Sequence, residues 1–187
     1  MIKALKTIYQ LKIGLNGARP PIWRRFLIDS TTSLPRFHKA MQIIMGWSDT
    51  HSHQFIVNNV CYGVPLRDYD FMGVLDENKY RLNQILKEEK ETLFYEYDFG
   101  DSWTHEVTLE KTLPFELNAA LPLCIKAKGL CPPEDINGTW GYYNALEALQ
   151  DNNLSRHKEF KDWIVDHYDT STYNIETVNA LLTKYCR

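Results

Sequence analysis

Residues 7–16, TIYQLKIGLN, alternate apolar and polar side chains, with Ile8, Leu11, Ile13 and Leu15 largely on one side. That period of two predicts a strand with one buried face. A loop follows at Gly17 to Pro21, where Pro20-Pro21 cannot continue a ladder, and Ile22 to Ile28 resumes strand character. The two segments predict a hairpin. Ser33-Leu34-Pro35 then opens a helix, with a hydroxyl at the cap and proline near the first helical position. Its apolar residues Leu34, Phe37, Met41, Ile44 and Met45 recur at spacings of three and four, and Gly46 closes it.

Farther on, Gln54 to Val57 and Val60 to Tyr62 flank Asn58-Asn59, a pair suited to a tight turn. Residues 66–91 are charged and irregular, with a short helix near Leu82 to Leu86. Thr92 to Asp98 and Trp103 to Leu109 predict a second strand pair around Gly100-Asp101. The segment 112–139, rich in Pro and Gly, reads as a long ordered loop, and helices at 141–150, 155–167 and 175–185 end the chain. The second of these gathers Phe160, Trp163, Ile164 and His167 on one face; the third gathers Val178, Leu181, Leu182 and Tyr185. The pattern predicts one α+β domain over residues 1–187. It has a β-grasp-like hairpin–helix–strand start, a mixed or antiparallel sheet, and C-terminal helices packed on that sheet.

At 187 residues and 44% apolar composition the chain can bury a core, which excludes a disordered tail. No apolar run reaches the roughly 20 residues of a spanning helix, and lysines interrupt the N-terminus, so neither a membrane span nor a secretory signal is expected. Cysteines at 61, 124, 131 and 186 are too few and scattered for a disulfide framework, which points to a reduced, cytoplasmic protein. Charge is uneven. Residues 1–47 carry eight basic side chains against one acid, giving +7, which leaves −10 for the rest of a chain whose net charge is −3. Such asymmetry marks either a footprint for phosphate or nucleic acid, or two halves that neutralise each other in the fold.

Three stretches concentrate candidate chemistry: 46–53, 97–105 and 131–142. Each sets glycine and aromatic bulk beside titratable groups, the texture of a site built on loops. With Gly100-Asp101 as the centre of a type II′ turn, Asp98 pairs with Trp103 and Glu96 with His105, placing all four on one face. A carboxylate and an imidazole there can act as an acid/base pair or hold a divalent metal, or simply form a solvated cross-strand contact. His51 and His53, two apart, share a side of an extended backbone, a spacing that suits zinc or another imidazole-loving metal. Cys124 and Cys131 would complete a mixed zinc set, although their spacing is not that of a tight knuckle. On the hairpin, Arg19, Trp23, Arg24 and Arg25 are candidates for nucleic-acid or anion contact, but Arg24 and Arg25 must point to opposite faces. Walker A, G-x-S-x-G, H-E-x-x-H and dinucleotide fingerprints are absent, and Asp98-Phe99-Gly100 lacks every other kinase element.

Pro20 to Arg25, Met45-Gly46-Trp47 with His51, His53 and Phe55, Tyr95 to His105, and Cys131 to Asp135 with Gly138 and Gly141-Tyr142 together resemble the plasmid pRiA4b ORF-3-like family. The ordered set runs from about residue 7 to residue 180. The resemblance implies a protein of plasmid, insertion-element or prokaryotic genomic origin without a settled activity. It carries over Trp23, Arg24, Gly46, Trp47, His51, His53, Asp98, Gly100, Asp101, Trp103, His105, Pro132, Pro133, Glu134, Asp135, Gly138 and Gly141. Where members often have cysteine and two glycines after the Glu-Asp pair, this chain has Ile136, Asn137 and Gly138, which weakens any scheme needing a third cysteine.

Two functions follow as expectations. The first is a non-catalytic binding or accessory protein, with a nucleic acid or a protein as partner and no membrane. The alternative is a metal-assisted hydrolase, with catalytic candidates Asp98, His105, Glu134 and Asp135. Its metal candidates are His51, His53, Asp98, Asp101 and His105, and a divalent ion is the one cofactor considered. Hydrolysis requires those side chains to converge in one pocket; nucleic-acid binding requires a continuous basic or aromatic surface.

Overall fold

The computed structural model describes residues 6–65, 73–150 and 173–186. The first hairpin joins β1 (Thr7–Leu15) to β2 (Trp23–Asp29), with Leu11 opposite Phe26 and Ile13 opposite Arg24. Helix α1 (Leu34–Met45) follows and ends on Gly46 at φ 88°, a left-handed conformation that costs glycine nothing. Strands β3 (His53–Val57) and β4 (Val60–Gly63) turn through Asn58 and Asn59, both at positive φ. After β5 (Leu75–Asp76), a 3₁₀ turn (Glu77–Lys79) and α2 (Leu82–Ile85), the long strands β6 (Thr92–Tyr97) and β7 (Trp103–Pro114) form the second hairpin.

The segment expected to be a loop holds further strand. β7 runs on to Pro114, and β8 (Leu123–Lys128) pairs with β2. Helices α3 (Gly138–Gln150) and α4 (Ile175–Tyr185) correspond to two of the three expected at the C-terminus. The expected helix at 155–167 lies outside the described residues.

The eight strands of the described residues form one sheet in the order β5-β4-β3-β6-β7-β1-β2-β8, antiparallel except for β4 and β5. It is a mixed sheet in an α+β fold, and it begins with the hairpin–helix–strand order read from the sequence. The strand beside β1 is β7, antiparallel to it. Helix α1 lies on the inner face, where Phe37 stacks between Phe26 and Phe55 at centroid distances of 6.3 and 5.6 Å. Helix α4 packs on α1 and on β8. There the Asn179 side chain accepts from the Cys124 N–H (2.7 Å) and donates to the Cys124 carbonyl (2.9 Å), which satisfies backbone groups of an edge strand. Among the described residues no helix is long and apolar enough to cross a membrane.

Candidate metal centre

Three loops meet beside the C-terminal end of α1: residues 46–52, the connection 98–102 and the segment 131–137. Trp47 is the keystone. Its ring stacks on Tyr97 (5.2 Å) and packs against Trp103 (5.7 Å), and its Nε1–H donates to the Pro132 carbonyl at 2.9 Å. Glu134 bridges two loops by accepting from the Ser48 N–H (2.9 Å) and the Tyr97 hydroxyl (2.6 Å). Burial, and then the Glu134 carboxylate, push that phenol up to about 12. Asp101 accepts from the Ile136 N–H at 3.0 Å. Two glycines permit this approach: a Cβ on Gly138 would lie 2.3 Å from the Asp101 carbonyl oxygen, and one on Gly141 would lie 1.6 Å from that of Ile136.

The 98–102 connection corrects the expected turn. Tyr97 pairs with Trp103 and Tyr95 with His105, so five residues, not two, lie between the strands. Asp98 and Ser102 take positive φ, and the Ser102 N–H donates to the Asp98 carbonyl at 2.6 Å. A one-residue slip exchanges faces. Tyr95, Tyr97, Trp103 and His105 therefore share the buried face, while Glu96 lies on the other, bonded to Gln54 (2.7 Å) and Ser102 (2.9 Å).

Within the loop cluster, His51, Asp98 and Asp135 come together, each with a donor atom within 4.8 Å of the others'. His51 Nδ1 lies 3.6 Å from Asp98 Oδ2, and Nε2 lies 3.3 Å from Asp135 Oδ1. Asp98 is nearly buried, and its other oxygen accepts from the Gly100 N–H at 3.0 Å, which fixes the carboxylate. The Asp135 side chain is 73% exposed, so the group opens to water on that side. One imidazole nitrogen and two carboxylate oxygens suit manganese, iron or zinc and leave coordination positions free. Without an ion, the same geometry is an Asp–His–Asp ion-pair cluster.

The other metal candidates go elsewhere. His53 faces α1, stacked on His38 at 3.5 Å between centroids and bonded to buried Glu77 at 2.9 Å. His105 is fully buried edge-on to Trp47, its Nδ1 3.3 Å from the Tyr95 carbonyl oxygen and its Nε2 without a hydrogen-bond partner among the described residues. Burial pushes it down to about 4. Asp101 serves the loop tie just described. Cys124 and Cys131 fall outside the cluster, and burial raises both thiols, that of Cys131 to about 12, which disfavours the thiolate a metal needs.

The sequence reading missed the polar network beneath His53. Gln42 donates to the Tyr95 hydroxyl (2.8 Å), which also meets His38 Nδ1 (2.8 Å), while His38 Nε2 meets Asp49 (2.6 Å). Burial holds His38 down at about 4, so the chain runs from a neutral imidazole to an ionised Asp49. One signal was available: His38 sits three residues before Met41 and seven before Met45, on the apolar stripe of α1.

On the basic hairpin, Arg24 and Arg25 point to opposite faces, as strand alternation requires. Arg24 is fully buried; it donates to the carbonyls of Ile44 (3.3 Å), Trp23 and Lys128 (2.9 Å each), and its guanidinium lies 4.0 Å from the centroid of the Tyr173 ring. Arg25, on the opposite face, forms a two-pronged pair with Glu110 at 2.5 and 2.7 Å. Half-buried Trp23 lies under Lys12 and Arg25. Arg19 is exposed, and its backbone N–H donates to the Tyr143 hydroxyl.

Over most of its length the chain is similar to known proteins. The family model described as "Plasmid pRiA4b ORF-3-like protein" matches residues 7–177. The uncharacterized protein y4hQ of Sinorhizobium fredii is 33% identical over 175 residues, covering 92% of this chain and 89% of that protein. The crystal structure of the protein of unknown function MM3350 from Methanosarcina mazei Go1 is similar at a TM-score of 0.81 and 30% identity, over 93% of this chain and 98% of that one. The chain belongs to the plasmid pRiA4b ORF-3-like family.

Proposed function

We propose that the protein is a non-catalytic binding protein, an accessory of plasmid or mobile-element type acting in the cytoplasm, whose loop cluster holds one divalent cation. The observation that carries this reading is the convergence of His51, Asp98 and Asp135, with donor atoms within 4.8 Å of one another. The ion would take the place of the ion-pair contacts and lock the 131–137 segment onto the 98–102 connection. Free coordination positions beside exposed Asp135 could be filled by an oxygen ligand of a protein or nucleic-acid partner.

Binding fits the geometry better than hydrolysis. His53 and His105, both named for the hydrolytic set, are stacked and buried apart from the cluster. Glu134, the carboxylate nearest the triad in sequence, is already engaged by two hydrogen bonds that tie the loops together. Elemental analysis of protein purified without chelator or affinity metal tests the reading. It predicts near one equivalent of manganese, iron or zinc in the wild type and a loss of most of it in Asp98→Asn. Metal content that is absent, or unchanged in the variant, would leave an ion-pair cluster alone. Asparagine suits the test because it tolerates positive φ and keeps the bond to Gly100.

A further inference from the structure

At the opposite end of α1 from the loop cluster, a cavity of ≈ 380 Å³ opens between the start of the helix and the segment that follows β7. That volume lies in the range of small-molecule sites. Its lining is divided. Lys6, Arg36 and Arg81 contribute cationic heads, while Phe115, Leu121 and Pro122 contribute apolar surface.

The charges there are anchored without being used up. Arg81 Nη1 donates to the Thr31 carbonyl at 2.7 Å, and Arg36 Nη2 donates to the Cys186 carbonyl. Each guanidinium has five N–H donors, so each keeps several to offer. Of the carboxylates in the lining, Asp29 is occupied by the Thr31 N–H and hydroxyl (2.7 Å each) and by Lys6 (3.5 Å), leaving Glu116 against two arginines. The helix start is also short of partners. Ser33 stands at the N-cap, yet its hydroxyl makes no capping bond. The Leu34 N–H goes to the Tyr80 carbonyl, and Pro35 has none to give. Arg36 therefore carries the first helical N–H without an acceptor among the described residues.

We propose that this cavity binds a small organic phosphate monoester. Its phosphate sits between Arg36, Arg81 and the first turn of α1, and its apolar part lies against Phe115 and Pro122. Forked guanidiniums match phosphate oxygens in pairs, and the open helix N–H adds a donor of fixed direction. The proposal is independent of the metal reading. It also identifies where part of the N-terminal excess of positive charge is directed: Lys6 and Arg36, with Arg81, face this cavity, while Arg24 and Arg25 are internally partnered.

Titration calorimetry of the full chain tests it, using phenyl phosphate and inorganic phosphate in buffer containing chelator so that no bound metal contributes. Saturable one-to-one binding of phenyl phosphate is expected, about tenfold tighter than inorganic phosphate, and weakened at least about tenfold in Arg81→Gln. Lys12→Gln, which removes one charge outside the cavity, should bind as the wild type does. No saturable binding, or affinity unchanged in the double variant Arg36→Gln/Arg81→Gln, would overturn the site. An equal loss in Lys12→Gln would reduce it to bulk charge, and equal affinity for the two probes would overturn the ester assignment.

Discussion

The first hairpin and the three-loop cluster both bring several charged side chains together, but they leave those charges in opposite conditions. On the hairpin, regular strand geometry sends Arg24 inward to three carbonyls and an aromatic ring, and Arg25 outward to Glu110. Both guanidiniums are thereby anchored within the protein, with Nη2 of Arg24 left without a hydrogen-bond partner among the described residues. In the cluster, positive-φ residues Asp98 and Asp135 turn carboxylates toward one imidazole, partly open to water, at distances longer than good hydrogen bonds. The hairpin's arginines are tied into the strand scaffold, whereas the cluster's groups contact one another and stay partly open to water at Asp135.

The contrast can be broken most forcefully at the loop end. Gly141→Ala places a Cβ against the Ile136 carbonyl and is expected to cost about 4 kcal/mol or to prevent folding, read as a denaturant midpoint. Next comes acid. His38 and His105 are held neutral in the fold, lowered from 6.5 to about 4. Their stabilising effect is complete above pH 6.5 and is lost as pH falls from 6.5 toward 4, on the order of 3 kcal/mol each. A stability–pH curve flat across that window would contradict their burial as neutral groups.

The hairpin itself sharpens the contrast with a smaller pair of effects. Arg24→Met deprives three carbonyls, that of Ile44 buried, of a donor and should cost about 2 kcal/mol, whereas Arg25→Gln, at a partly exposed pair, should cost about 1 kcal/mol. Denaturation curves measure both, and neither change should alter metal uptake.

Much of the scaffold was legible in the residues. Alternation located β1, strand-type runs set off by Pro20-Pro21 and by Asn58-Asn59 located β2, β3 and β4, and the three-and-four spacing with Gly46 located α1 and its end. The 98–102 connection was not legible, because Asp98 and Ser102 enter the left-handed region that sequence reading reserves for glycine, and the resulting slip moves Glu96 off the face of His105. Strand β8 was hidden because its burial does not alternate cleanly and turn residues surround it. For the site, His51, Asp98 and Asp135 were all among the candidates, and nothing local distinguished them from His53 and His105. That distinction depends on which side chains α1 and Trp47 cover, a tertiary fact with no local signature.

The central claim is that the cluster of His51, Asp98 and Asp135 holds a cation. A Mn²⁺ titration followed by electron paramagnetic resonance, on chelator-stripped wild type and on Asp98→Asn, tests it most directly. The account predicts loss of the free-ion signal up to one equivalent in the wild type and little loss in the variant. A free-ion signal that rises from the first addition in the wild type, or identical curves for the two proteins, would contradict it.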